Sequence, residues 1–159
     1  MNSILHINAS PRGDASRSLT LARSFLQHLQ QRYPAAVLNT LDIFTADLPD
    51  MTPARVGGKY RLLTGADLDA EQRASWDAIV AYIDQFRAAD IVVLNTPMWN
   101  FSIPYRLKHY IDIIVQPRYL FKYTAQGAVG LAGKTRMVII SARGSDYPPG
   151  SQAAALDQQ

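Results

Sequence analysis

The stretch DIVVLNTPMWNFSIP, residues 90 to 104, holds a strand signal and a loop signal side by side. Ile91 to Leu94 is an unbroken aliphatic run, the pattern of a strand buried on both faces of a parallel sheet. Prolines and aromatic residues end the run in a loop. Pro104 then suits the first position of a helix that carries Leu107, Tyr110, Ile111 and Ile114 on one face. Strand, loop and helix in this order make half of a βαβ unit, so the same order is expected elsewhere in the chain.

Towards the N-terminus, residues 3 to 9 (SILHINA) read as a first strand, and Leu19, Ala22, Phe25, Leu26 and Leu29 form the apolar stripe of a helix. Residues 35 to 43 read as a second strand. Thr45 to Gly65 mixes Pro, Gly, Asp and Arg without a clear period and reads as a long loop. Helical spacing returns over 69 to 88 through Trp76, Ile79, Val80, Ile83 and Phe86. After the quoted stretch, residues 119 to 133 read as a hairpin-like excursion with aromatic residues on one limb and glycines on the other. Residues 135 to 142 read as a fourth buried strand, and QAAALDQQ as the start of a helix. Alternating strands and helices predict an α/β fold with a parallel sheet and right-handed crossovers.

Composition removes several kinds of chemistry. The 159 residues are 48% hydrophobic and 18% charged, which suits one domain spanning residues 1–159. There is no cysteine, so disulfides, thiolate metal sites and cysteine nucleophiles are excluded. No apolar run approaches membrane-spanning length, no signal-like segment opens the chain, and a cytoplasmic location is expected. A net charge of +3 comes from scattered Lys and Arg rather than a basic stripe, which argues against nucleic acid and allows a small anionic ligand.

In open α/β sheets, ligands sit beyond the carboxyl ends of the strands. Three segments fall there. The first, NASPRGDASRS (8 to 18), places Ser10, Ser16, Ser18, Arg12 and Arg17 where a helix begins, and its hydroxyls, N–H donors and positive charge suit a terminal phosphate. Gly13 alone satisfies neither the triphosphate loop nor the dinucleotide turn. A plain helix cap by Ser16 is the competing reading.

In the second segment, Pro97, Met98, Trp99, Asn100 and Phe101 present apolar faces beside backbone donors, a lining suited to a flat heteroaromatic ring. A hydrophobic loop packed on its neighbours is the alternative. The third segment, SARGSDY (141 to 147), could bring backbone donors to the edge of that ring. His6, His28 and His109 lack nearby ligand partners and read as one strand residue and two helix residues; no metal site is expected. A phosphate subsite, a ring subsite and no acid/base pair together imply that a cofactor carries the chemistry, and flavin mononucleotide (FMN) fits.

The segments SPRGDASRS, PMWNFSIPYRLKHYID, LFKYTAQGAVGLAGK and SARGSDY resemble, in order and spacing, the FMN-dependent NADH azoreductases of bacteria. The departure is at Ala142-Arg143-Gly144-Ser145, where the family usually has Ser-Arg-Gly-Gly. The resemblance implies a flavodoxin-like, doubly wound parallel sheet and a homodimer with sites at the subunit interface. It also implies transfer of two electrons from NADH or NADPH to FMN, then to quinones or azo compounds, in a ping-pong cycle. Under it, Ser10, Ser16, Arg17 and Ser18 hold the phosphate, while Pro97, Met98, Trp99, Asn100 and Phe101 line the ring. Ala142, Arg143, Gly144 and Ser145 close the far edge, and Phe121 and Tyr123 reach the partner's flavin as a substrate pocket.

A flavodoxin-type electron carrier without an organic substrate is the alternative function, against which the basic charge counts; a scaffold that has lost flavin is a further one. The sheet order expected is 2-1-3-4. The family's fifth strand falls beyond this sequence, leaving an apolar edge at Val138 to Ile140 for further residues or a second copy to cover.

Overall fold

In a computed structural model that describes residues 1–157, four parallel strands form the central sheet: β1 (Ser3–Asn8), β2 (Val37–Asp42), β3 (Ile91–Pro97) and β6 (Arg136–Ala142). Their order is β2-β1-β3-β6, the order expected, with β1 and β3 at the centre. β1 pairs with β2 from Ser3↔Val37 and with β3 from Ile4↔Ile91, and β3 pairs with β6 from Ile91↔Arg136.

Side chains alternate across each strand, so each central strand faces two layers. Leu5, Ile7, Val92 and Leu94 join Trp76, Ile79 and Ile83 of α3 (Ala70–Arg87) and Leu107, Tyr110 and Ile113 of α4 (Tyr105–Ile114) in one core. On the opposite face, Ile4, Ile91 and Val93 pack with Leu26 of α1 (Arg17–Arg32). Towards the carboxyl end of the sheet this second face turns polar, with His6, Asn8 and Asn95 all buried.

Some expectations are corrected. The Thr45–Gly65 segment contains a helix, α2 (Pro53–Leu63). Pro53 begins it instead of breaking it, and the Thr52 hydroxyl accepts from the Arg55 amide as the cap. The helix lacks a strong stripe, and Gly58 lets it approach α3 closely: a Cβ there would meet Trp76 Nε1 at 2.7 Å. The Arg55 carbonyl accepts from Trp76 Nε1 at 3.2 Å. Pro104, expected inside α4, is its N-cap residue, with an extended ψ of 145°.

The excursion is an antiparallel ribbon of β4 (Phe121–Thr124) and β5 (Gly127–Gly130), separate from the main sheet. QAAAL forms a five-residue 3-10 turn, Gln152–Leu156, rather than an α-helix, and Gln158 and Gln159 lie outside the described residues. Along β6 the apolar exposure falls on Met137 and Ile139, whereas Val138 and Ile140 pack partly against the α1 side. Strand alternation, with α1 over one face, produces this division. Among the described residues, no helix is long and apolar enough to cross a membrane.

Candidate flavin site

β1 ends at Asn8, and the chain crosses the carboxyl edge of the sheet through Ser10, a 3-10 turn at Gly13–Ala15 and the start of α1. Gly13 sits at φ 52°, a conformation that glycine adopts without steric cost. Ser16 caps α1, its Oγ accepting from the Leu19 amide at 3.2 Å, so the simple capping reading is right for this serine. It does not account for the others. Ser18 Oγ lies 3.2 Å from Ser16 Oγ, and Ser10 Oγ is buried with no hydrogen-bond partner.

Ser10 is 1% exposed, so its hydroxyl has given up water without gaining a protein acceptor or donor, a cost of about 1–3 kcal/mol. A bound anion at the cleft would satisfy it. Arg12 and Arg17 stand exposed at the same rim, and the first N–H groups of α1 add the positive end of the helix dipole.

The second wall follows β3. The Met98 amide donates to the Ala142 carbonyl at 2.9 Å, tying this loop to the end of β6. Trp99 and Ser102 exchange backbone hydrogen bonds of 2.8 and 3.0 Å, and Asn100 and Phe101 form the tight turn between them at φ 48° and 66°. Positive φ at Phe101 is costly for a bulky side chain, and the turn leaves this ring 46% exposed.

Phe44, from the loop after β2, packs on Trp99 with ring centroids 5.7 Å apart and on Tyr105 at 6.0 Å. Arg106 secures that loop by donating from Nε to the Ile43 carbonyl and from Nη2 to the Ala46 carbonyl. Phe44 escaped the sequence reading because the segment after β2 carries no motif, and Arg106 because its carbonyl partners lie in that same segment.

The three loops meet in a cleft of about 280 Å³ lined by Ser10, Arg12, Ser16, Arg17, Ser18, Pro97, Met98, Trp99, Ala142, Arg143 and Gly144. Thus the structure brings together most of the expected phosphate, ring and edge residues. Asn100, Phe101 and Ser145 do not line it. Phe121 and Tyr123 form a T-shaped pair on the β4–β5 ribbon, outside this cleft. Arg143 forms an ion pair with Asp157, and its guanidinium lies 5.9 Å from the Tyr147 ring centroid.

His6, His28 and His109 lie in β1, α1 and α4, and no cluster able to hold a metal occurs among the described residues. The orphaned Ser10 hydroxyl, the donor-rich helix start and the half-buried Met98 and Trp99 fit a phosphate joined to a flat ring.

Comparison with known proteins agrees with this geometry. The family described as flavodoxin-like fold matches residues 2–159. An FMN-dependent NADH:quinone oxidoreductase of Nitratidesulfovibrio vulgaris is 42% identical over the whole chain, which covers 76% of that protein. A second, from Pseudomonas syringae pv. tomato, is 40% identical over 91% of this chain and 71% of its own. Among solved structures, an azoreductase from Bacillus anthracis superposes with a TM-score of 0.85 at 31% identity, over 99% of this chain and 76% of that one. An FMN-dependent NADH-azoreductase from the same species, in complex with FMN, gives 0.82 at 28% identity with the same coverage. The chain belongs to the flavodoxin-like family, in the group of FMN-dependent NADH:quinone oxidoreductases and azoreductases.

Proposed function

We propose that this protein is an FMN-dependent NAD(P)H oxidoreductase that reduces quinones and azo compounds. The observation that carries the reading is the buried, unpartnered Ser10 hydroxyl at a cleft where a helix N-terminus and an aromatic loop converge. When bound, FMN would supply two-electron redox chemistry between NADH or NADPH and the acceptor.

The chain's own residues hold and orient. Ser10, Ser16 and Ser18 donate hydroxyl hydrogen bonds to the phosphate, with Arg17 adding charge from the rim. Pro97, Met98 and Trp99 form the ring side, backed by Phe44, with Asn100 and Phe101 in the turn beyond it. Ala142, Arg143 and Gly144 close the edge opposite, with Ser145 next in the chain. The Met98–Ala142 hydrogen bond keeps these two walls in register.

Residues 1–159 act as one FMN-binding domain, and two copies pair so that Phe121 and Tyr123 of one complete the acceptor pocket of the other. Tyr123 is 69% exposed on a ribbon separate from the sheet, as a residue that serves a neighbouring site would be. Dependence on a nicotinamide donor and the absence of cysteine suit a cytoplasmic location. Titration of the flavin-free protein with FMN tests the reading: saturable binding with a change in the visible flavin spectrum is expected, and no binding overturns it.

A further inference from the structure

Behind the first loop, a chain of buried polar side chains leads from His6, Asn8 and Asn95, which do not line the cleft, to Ser18, which does. His6 is 4% exposed, Asn8 5%, Asn95 0% and Ser18 1%. In the register of the sheet Asn8 stands beside Asn95 and His6 beside Val93, so all three polar residues face α1. His6 Nε2 lies 2.7 Å from Asn95 Oδ1. Asn95 Nδ2 donates to Asn8 Oδ1 at 2.9 Å and to Ser18 Oγ at 3.4 Å.

The direction of the bonds among Asn8, Asn95 and His6 follows from groups that cannot reverse. The Ser10 amide can only donate, and it meets Asn8 Oδ1 at 3.2 Å. The Asp42 carboxylate and the Ser10 carbonyl accept from Asn8 Nδ2 at 2.8 and 3.3 Å. Asn8 is therefore fixed, and its oxygen requires the Asn95 amide nitrogen as the second donor. That leaves the Asn95 oxygen facing His6, whose Nε2 must carry the proton. The neutral Nε2–H tautomer and the cation both carry that proton, and burial favours the neutral ring.

The series of donors ends on Ser18. Ser18 Oγ accepts from Asn95 and lies 3.2 Å from Ser16 Oγ, a pair in which either hydroxyl can donate; with Ser16 as the donor, the Ser18 proton is free for the cleft. A phosphate needs donors at that spot.

We propose that His6 and Asn95 are positioning residues that hold the Ser18 hydroxyl as a donor to the phosphate of FMN, an inference that rests on the flavin reading above. It assigns a task to two residues remote from the ring and without contact with substrate. Asn95 interrupts the aliphatic run of β3, at a position where an apolar residue would otherwise serve the strand.

The test compares FMN with riboflavin, which has the same ring and no phosphate, in flavin-free wild type, His6→Leu, His6→Gln and Asn95→Asp. Gln can still donate to Asn95; Asp keeps the volume of Asn95 but offers Ser18 no donor at neutral pH. His6→Leu and Asn95→Asp are expected to weaken FMN about five- to tenfold, the worth of one hydrogen bond, with riboflavin affinity unchanged and His6→Gln close to wild type. Equal losses for FMN and riboflavin, or no loss for FMN, overturn the inference while leaving the flavin reading standing. Failure of wild type to bind FMN overturns the flavin reading itself. Cooperative melting qualifies each variant, and the Gln and Asp pair carries the comparison if Leu at position 6 prevents folding.

Discussion

The hydroxyls of Ser16 and Ser18 lie 3.2 Å apart at the first turn of α1, both buried, yet only Ser16 caps the helix. The pair separates two contributions that the sequence alone merges. Ser16→Ala removes a cap and is expected to lower stability by about 1 kcal/mol, whereas Ser18→Ala leaves the cap intact. The double replacement is expected to weaken FMN binding by about 1–3 kcal/mol, at about 0.5–1.5 for each neutral hydrogen bond. Isothermal titration together with thermal unfolding distinguishes the two effects; unchanged FMN affinity in the double variant would remove these serines from the phosphate site.

Gly58 is the close approach between α2 and α3. A Cβ there would meet Trp76 Nε1 at 2.7 Å and Leu68 Cδ2 at 3.1 Å. Although alanine is the better helix former, Gly58→Ala is expected to destabilise the protein by about 1–3 kcal/mol through overpacking. Denaturant unfolding checks this, and a gain in stability would mean that α2 does not rest on Trp76.

Burial lowers the pKa of His6 below its usual 6.5, the Asn95 hydrogen bond opposing that shift; Arg23 lowers it further and Asp42 raises it. Since the folded value is depressed, the unfolded chain binds the extra proton first. Stability is therefore complete above the unfolded value, falls as pH drops below about 6.5, and levels off once the folded value is passed. Wild type should lose more melting temperature between neutral and mildly acidic pH than His6→Gln, which has no such proton to take up. Parallel curves for the two proteins would show that His6 does not titrate in this way.

Acceptor choice follows from the aromatic residues. In the proposed dimer, Trp99 and Phe101 of one subunit and Phe121 and Tyr123 of the other would make a pocket for flat rings, so planar quinones should be reduced faster than bulky, highly sulfonated azo dyes. Steady-state rates over a small panel of acceptors measure this. Equal rates, or a preference for the bulky dyes, would argue against the pocket.

Much of the fold was legible because its signals are local. Ile91 to Leu94 can serve only a strand covered on both faces, and Trp76, Ile79 and Ile83 recur at helical spacing over a core. α2 escaped because Gly57, Gly58 and Pro53, read singly, look like breakers; the position of Trp76 shows that Gly58 makes a contact, and the Thr52 cap shows that Pro53 makes a start. At the site, hydroxyls and aromatic residues gathered in two loops were visible in the sequence. Asn8, Asn95 and His6 were less so, because their significance depends on β1 lying beside β3 and on hydrogen bonds across 87 and 89 residues. A polar residue inside an aliphatic strand was the available sign, and Asn95 carries it.

The central claim is tested most directly by the two half-reactions in the absence of oxygen. Protein saturated with FMN, freed of excess flavin and mixed with one equivalent of NADH or NADPH, should lose its visible flavin absorbance within the mixing experiment and recover it on addition of one equivalent of a quinone. Bound flavin that neither nicotinamide donor bleaches, or that the quinone fails to restore once bleached, would contradict the account.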